Sequence, residues 1–243
     1  MNEYQTCASR YTELESERQI FLTRSRDCSE LTLPYLIPPE GHSASTIFPT
    51  PYQSVGARAV NVLASKLLLA LLPPSGPFFR LVVDDIEVPK LEQKGRGAIE
   101  EALGAIERAV MSEIETTRVR VPAFEMLKHL IVSGNALVYY PDEGGMRVFP
   151  LERYVCQRDS MGSVLEIIVK ESVSPLMLPE EIRSRVMEEN NSEGTDKNID
   201  LYTHIKRQVD NWEVYQEVKE MEVPNSRGTY TFENFSWMAL RFD

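Results

Sequence analysis

The alternation of apolar and polar positions divides this chain into a helical first half and a strand-rich second half. Residues 4–27 carry a thin apolar stripe on an otherwise charged segment, which predicts a largely exposed helix. Closely spaced prolines then break regular structure as far as residue 51. The resulting long extended loop leads into a second predicted helix over about residues 53–72.

The second helix has the most distinctive pattern of the chain. Ser54, Arg58, Asn61 and Ser65 follow one another at steps of four, three and four, so they share one narrow face, and nearly all other positions are apolar. Helices that are apolar almost all round are typically buried, and polar groups buried with them need partners. We therefore expect a buried helix whose polar stripe contacts either this chain, for example carbonyls of the proline-rich loop, or a neighbouring subunit.

Arg58 is the member of this stripe with the strongest demand for a partner. A guanidinium surrounded by apolar side chains requires a planar acceptor, because its charge is otherwise left unmatched. If Arg58 is buried in this way, replacing it by leucine should destabilise the fold or the assembly by about 2 to 5 kcal/mol.

Two further helices and one strand are predicted before the pattern changes. The short aromatic and β-branched run at 78–83 is typical of a strand. Apolar residues from Ile99 to Ile114 keep the spacing of an amphipathic helix with an acidic wet side. Another helix starts near Pro122, a residue that suits a first helical turn, and stops near Gly134.

The second half of the chain has the two-residue period of strands. A short helix is expected at 179–189, and the polar stretch at 190–197 is the best candidate for a boundary. Helices followed by an antiparallel meander predict an α+β fold, with a helical part at about 1–134 and a strand part at about 135–243. The predicted strand pairs are 136–140 with 146–149, 154–158 with 164–170 and 199–205 with 212–218, and a last strand covers 236–241.

Composition narrows the classes of partner. The formal charge of −11 and the isoelectric point near 4.9 argue against a surface that grips phosphates, although an acidic wall that repels DNA fits them. Cys7, Cys28 and Cys156 are widely spaced, so neither a disulfide framework nor a zinc site is expected, and a reducing compartment fits. We expect no secretory signal at the start of the chain, and the apolar run 67–72 is too short to span a membrane.

The search for catalytic chemistry finds little. His42, His129 and His204 are scattered without metal-ligand spacing, and Glu125, four residues before His129, suggests a local ion pair. The chain has no GxSxG or P-loop pattern. We therefore expect no enzymatic activity, no catalytic residue, no resident metal and no cofactor.

One acidic cluster keeps an alternative open. Asp84, Asp85 and Glu87 follow a predicted strand, and clustered carboxylates are the ligands that hard divalent cations prefer. The alternative function is a metal-dependent nuclease or phosphatase. The plainer interpretation of the same residues is an acidic turn after a strand.

Four stretches, in order and together spanning most of the chain, resemble one family. They are residues 50–72, residues 127–141, residues 151–159 with Gly162, and residues 199–205. In the order and spacing of these stretches, the chain resembles the head-to-tail connector, or portal, proteins of T7-like short-tailed bacteriophages. Any one of these stretches alone would be weak evidence, but four in register are specific.

The resemblance implies a structural subunit of a homo-oligomeric ring, typically a dodecamer, at one capsid vertex. This ring contacts capsid, scaffolding, terminase and tail proteins, and double-stranded DNA passes through it without specific binding during packaging and ejection. It further implies a virion component that is assembled in the host cytoplasm and has no membrane partner. Residues 1–243 resemble the N-terminal, wing-like portion of the family, and the stem, clip and crown regions have no counterpart in this chain.

Overall fold

The computed structural model describes residues 6–39, 41–42, 45–74, 76–82, 93–141, 144–189 and 198–242. Within these residues the helices are α1 Cys7–Leu31, α2 Val55–Leu71, α3 Gln93–Thr116, α4 Arg120–Ser133 and α5 Glu180–Glu189. The strands are β1 Asn135–Tyr139, β2 Arg147–Phe149, β3 Tyr154–Arg158, β4 Val164–Val173, β5 Ile199–Arg207, β6 Trp212–Val218, β7 Met221–Glu222, β8 Gly228–Tyr230 and β9 Trp237–Arg241. The predicted α+β fold class is confirmed.

Local signals explain where two of the helices begin and end. Thr6 caps α1, because its Oγ1 accepts a hydrogen bond from the Ser9 amide at 3.2 Å. Pro122 lies in the first turn of α4, where its missing amide proton costs no helical hydrogen bond. Gly134 ends α4 with φ of +69°, a left-handed conformation that glycine adopts without strain.

The strands form two separate antiparallel sheets. One sheet has the order β2-β1-β9, and the other has the order β3-β4-β5-β6-β7, with β8 also paired to β6. The three predicted hairpins are confirmed as β1–β2, β3–β4 and β5–β6. The final strand differs from a simple meander, because β9 returns to pair with β1 and leaves β1 in the centre of the smaller sheet.

The main core lies where the helices cover the two sheets. Leu137 from the smaller sheet and Ile167 and Ile205 from the larger one are completely buried in one cluster. Leu22 of α1, Val60 of α2 and Val132 of α4 are the helical members of this cluster. A second, smaller cluster joins α5 to the ends of β5 and β6. The described helices include none that is long and apolar enough to cross a membrane.

The helix α1 contributes more to the core than its sequence suggests. It continues to Leu31, four residues past the predicted end, and most of its surface is exposed as expected. Of its narrow apolar stripe, however, Tyr11, Leu14 and Leu22 are buried and pack against β3 and α4, whereas Phe21 is 51% exposed. The buried residues of α1 are Cys7, Tyr11, Leu14, Arg18, Leu22, Ser25 and Ser29.

The predicted strand at 78–83 is wrong over the residues described. Positions 78–82 have no regular structure, and the Leu81 amide donates to the Glu107 carboxylate of α3 at 2.6 Å. A strand needs a neighbouring strand to pair its backbone groups, and here a side chain takes that amide instead. Position 83 and the proposed boundary at 190–197 lie outside the described residues, and the division into two parts stays a prediction.

Candidate functional site

The helix α2 forms where it was expected but is not buried. Only Val60 and Ala64 of its side chains are buried, so the described residues of this chain do not bury the helix on all sides, and its burial within an assembly stays a prediction. The buried side meets α4 and the end of α1, and Gly56 lies so close to the Leu31 carbonyl that a Cβ there would be 2.7 Å from it. The helix therefore covers the core with one edge and shows the rest to solvent.

The face of α2 opposite the core is a regular apolar seam. Val55, Val62 and Leu69 recur every seven residues and are 66%, 54% and 58% exposed. Arg58 and Ser65 lie between them on the same face, which is the three-and-four spacing of helices that pack against other helices. We call these five residues the outer face of α2.

The predicted polar stripe has no distant partner among the residues that the structure describes. Asn61 and Ser65 satisfy themselves locally, because Asn61 Nδ2 donates to the Ala57 carbonyl at 2.9 Å and Ser65 Oγ donates to the Asn61 carbonyl at 2.7 Å. No described residue pairs with the Arg58 guanidinium, and Ser54 is exposed and makes no side-chain capping hydrogen bond. Contact of the four residues with a neighbouring subunit stays a prediction.

Among the described residues, the arginine that is buried is Arg18. Its NH1 group donates to the carbonyls of Leu151 and Tyr154, each at 2.6 Å, and its NH2 group pairs with Glu15 at 2.9 Å. These bonds tie the middle of α1 to the turn that precedes β3. The signal was in the sequence, because Arg18 continues the spacing of Tyr11, Leu14 and Leu22 along one helical face.

A second buried polar network joins the start of α1 to the larger sheet. The carboxylate of Glu166 on β4 accepts hydrogen bonds from His204 Nε2 at 2.6 Å and from the guanidinium of Arg10 at 2.8 Å. Burial alone would raise the pKa of Glu166, but the hydrogen bonds from His204 and Arg10 outweigh it and lower the pKa to about 2. The carboxylate is therefore charged and doubly held at neutral pH.

The arrangement of Cys7, His204 and Glu166 has the residue types of a catalytic triad but not its chemistry. The Cys7 sulfur lies 3.6 Å from His204 Nδ1, while the Tyr215 hydroxyl lies closer, at 2.7 Å from the same nitrogen. Cys7 is almost completely buried, and this burial raises the pKa of its thiol to about 12. A buried thiol of high pKa is a poor nucleophile. The hydrogen bonds of this network join α1 to the larger sheet.

The remaining sequence candidates do not form a site. His129 is buried, and burial together with Lys128 lowers its pKa to about 4, so its 3.9 Å contact with Glu125 is not an ion pair at neutral pH. No group of His, Cys, Asp and Glu side chains in the described residues could hold a metal ion. Asp84, Asp85 and Glu87 lie outside the residues that the structure describes.

Comparisons with known proteins agree with each other. A family model described as bacteriophage head to tail connecting protein matches residues 4–243. The portal protein of Escherichia phage T7 is 39% identical over 240 residues, and that of Enterobacteria phage T3 is 36% identical over 239. Each match covers 95% of this chain but only 45% and 44% of the relative, so the chain spans less than half the length of these relatives. The portal protein of Enterobacteria phage SP6 is 29% identical over 220 residues.

Proposed function

Because this chain belongs to the family of bacteriophage head-to-tail connecting proteins, we propose that it serves as the wing-like portion of a portal subunit. The observation that best supports this proposal is the match over almost the whole chain, at 36% to 39% identity with two portal proteins. In this role copies of the protein form a ring, typically a dodecamer, at one vertex of the capsid. The four residues of the polar stripe on α2 contribute to the contacts between copies.

The proposed partners follow from the position of such a ring. Capsid and scaffolding proteins surround it during assembly in the host cytoplasm, and terminase and then tail proteins dock on it. Double-stranded DNA passes through the channel during packaging and ejection. The net charge of −11 supports passage without tight binding, because a surface with excess carboxylates repels phosphates.

The role is structural rather than catalytic. The buried Cys7 thiol, with its raised pKa, and the firmly hydrogen-bonded His204 support this view, because neither is poised to attack a substrate. None of the comparisons supports the alternative of a metal-dependent nuclease or phosphatase.

Mass spectrometry and labelling of virus particles test the proposal. Purified virions that carry this gene product should contain it in a fixed ratio to the capsid protein, and gold-labelled antibody against it should mark a single vertex of each tail-less head. The matched control is an antibody against the capsid protein, which should label the whole shell. Absence of the protein from virions, or its even distribution over the shell, would contradict the portal role.

A further inference from the structure

Two helices of this chain expose apolar residues that nothing in the described structure covers. The first is α2, whose outer face carries Val55, Val62 and Leu69 around Arg58 and Ser65. Exposed apolar seams of this regularity are typical of surfaces that bind another helix. The question is what the second helix is.

The helix α3 offers a matching face. None of its described side chains is buried, although its sequence is clearly amphipathic. Ile106 and Val110 are exposed together with the small residues Ala102 and Ala109, and Glu113 ends the same face. We call these five residues the outer face of α3. Its small residues allow another helix to approach closely.

The charges of the two helices are opposite. Between Val55 and Leu71 the charged residues are Arg58 and Lys66, both basic and both exposed. Between residues 97 and 116 there are five glutamates and a single arginine, Arg108. Pairing α2 with α2 of another copy would bring only basic charges together, whereas pairing α2 with α3 brings cations to carboxylates.

The spacing of the two faces also agrees when the helices run antiparallel. Along α2 the positions 58, 62, 65 and 69 are separated by steps of four, three and four, and along α3 the positions 113, 109, 106 and 102 have the same steps in the reverse direction. This register places Arg58 opposite Glu113. It also places Leu69 opposite the small residue Ala102, where a large side chain has room.

We propose that the outer face of α2 in one copy of this chain packs antiparallel on the outer face of α3 in the next copy. The contact is head-to-tail, because two different surfaces of the same chain meet, and such contacts generate rings when the rotation between copies closes. The inference rests on the proposed portal ring for its occupant, a second copy of this chain. It gives that ring a specific contact.

Two single substitutions separate this contact from others. Val62→Glu places a charge on the α2 face, and Ile106→Glu places one on the α3 face, while each leaves the opposite face intact. We expect analytical ultracentrifugation to show the parent chain as oligomers and each variant as a monomer at the same micromolar concentration. An equimolar mixture of the two variants should form dimers, because the intact α2 face of one meets the intact α3 face of the other.

The control is Val209→Glu, which alters a side chain that is 91% exposed in the loop between β5 and β6 and should leave the oligomers unchanged. Circular dichroism and melting temperature should be the same for all variants, since each altered side chain is at least half exposed. Oligomers that survive Ile106→Glu, or variants that stay monomeric when mixed, would overturn the α2–α3 contact and leave the portal role standing. A parent chain that is monomeric throughout would also overturn the contact, while labelling of virions would still decide the portal role separately.

Charge reversal tests the register. Arg58→Glu and Glu113→Arg should each weaken self-association about tenfold, since charged pairs at an interface rim contribute on the order of 1 kcal/mol. The chain with both changes should regain most of the loss, because the pair is re-formed with its signs exchanged. An additive loss in the double variant would overturn this antiparallel register.

Discussion

Arg18 and Arg58 show at the level of single residues how differently two helical arginines can be used. Each has apolar residues one helical turn away, but Arg18 is buried against two backbone carbonyls, and Arg58 is exposed without a partner among the described residues. Burial of Arg58 with a paired acceptor is therefore not seen among the described residues, and a partner on a neighbouring subunit stays a prediction. None of the described residues forms a second layer above the helix that carries it.

The two arginines form a matched pair for mutation. Arg18→Leu should lower the free energy of unfolding by about 3 to 5 kcal/mol, because it leaves the Leu151 and Tyr154 carbonyls buried without a donor. Arg58→Leu should change this free energy by less than about 0.5 kcal/mol, since the side chain is exposed. Urea unfolding of monomeric protein measures both, and equal losses in the two variants would contradict this assignment.

Glu166 makes stability depend on acid. Its pKa in the folded chain is about 2, against an ordinary value of 4.5, so its contribution is complete above pH 4.5 and is lost as the pH falls towards 2. Glu166→Gln should therefore lower the free energy of unfolding by roughly 3 kcal/mol at neutral pH and by almost nothing near the folded pKa. Urea unfolding over this range measures the difference between the variant and the parent.

The control for this experiment is Glu181→Gln, at an exposed position in the first turn of α5. It should change the free energy of unfolding by less than about 0.5 kcal/mol at either pH. A Glu166→Gln effect that is equally large at both ends of the range would mean that the carboxylate acts through packing rather than through its charge.

At the level of elements, the burial of α1 and α2 is the reverse of what their compositions suggest. The charged helix α1 sends one buried stripe into the core, and the apolar helix α2 rests on the core with one edge. A helix apolar on most sides needs more than one covering layer, and the described residues supply only one. The uncovered side of α2 is the physical basis of the proposed contact between copies.

The closeness of α2 to α1 depends on one glycine. At Gly56 an added Cβ would meet the Leu31 carbonyl at 2.7 Å and Thr32 Cγ2 at 3.1 Å. Gly56→Ala should therefore destabilise the fold by about 1 to 3 kcal/mol, despite the better helix propensity of alanine. Thermal unfolding followed by circular dichroism measures the change.

Gly97 in α3 is the matched control, because no atom lies within 4 Å of the position where its Cβ would be. Gly97→Ala should raise stability by up to about 1 kcal/mol through helix propensity alone. Stabilisation by both substitutions would show that α2 can move away from α1 without penalty.

At the level of the whole molecule, the chain separates a dense centre from two peripheral helices. The two sheets, α1 and α4 share one core, in which residues such as Ile167 and Val169 of β4 are completely buried. The helices α2 and α3 keep much of their apolar surface in contact with solvent. This division suits a subunit that folds around its own core and reserves two helices for its neighbours.

The sequence by itself determined the local elements and the family. Periodicity and turn residues placed α4 between Pro122 and Gly134, and they placed the hairpins around their turns, because these signals act over a few residues. The order and spacing of four stretches indicated the head-to-tail connecting family, which the family match over residues 4–243 confirms. Burial of Arg18 was also within reach, since it follows the spacing of the buried stripe on α1.

Only the tertiary structure decided which faces meet and which remain open. Contacts between residues far apart in the chain decide three features. They are the pairing of β9 with β1, the hydrogen bonds that join Glu166, His204 and Arg10, and the exposure of the outer face of α2. Hydrophobic periodicity reports that a face avoids water but does not say what covers it. For α2 the pattern predicted a face that avoids water, and only the structure showed that none of the described residues covers that face.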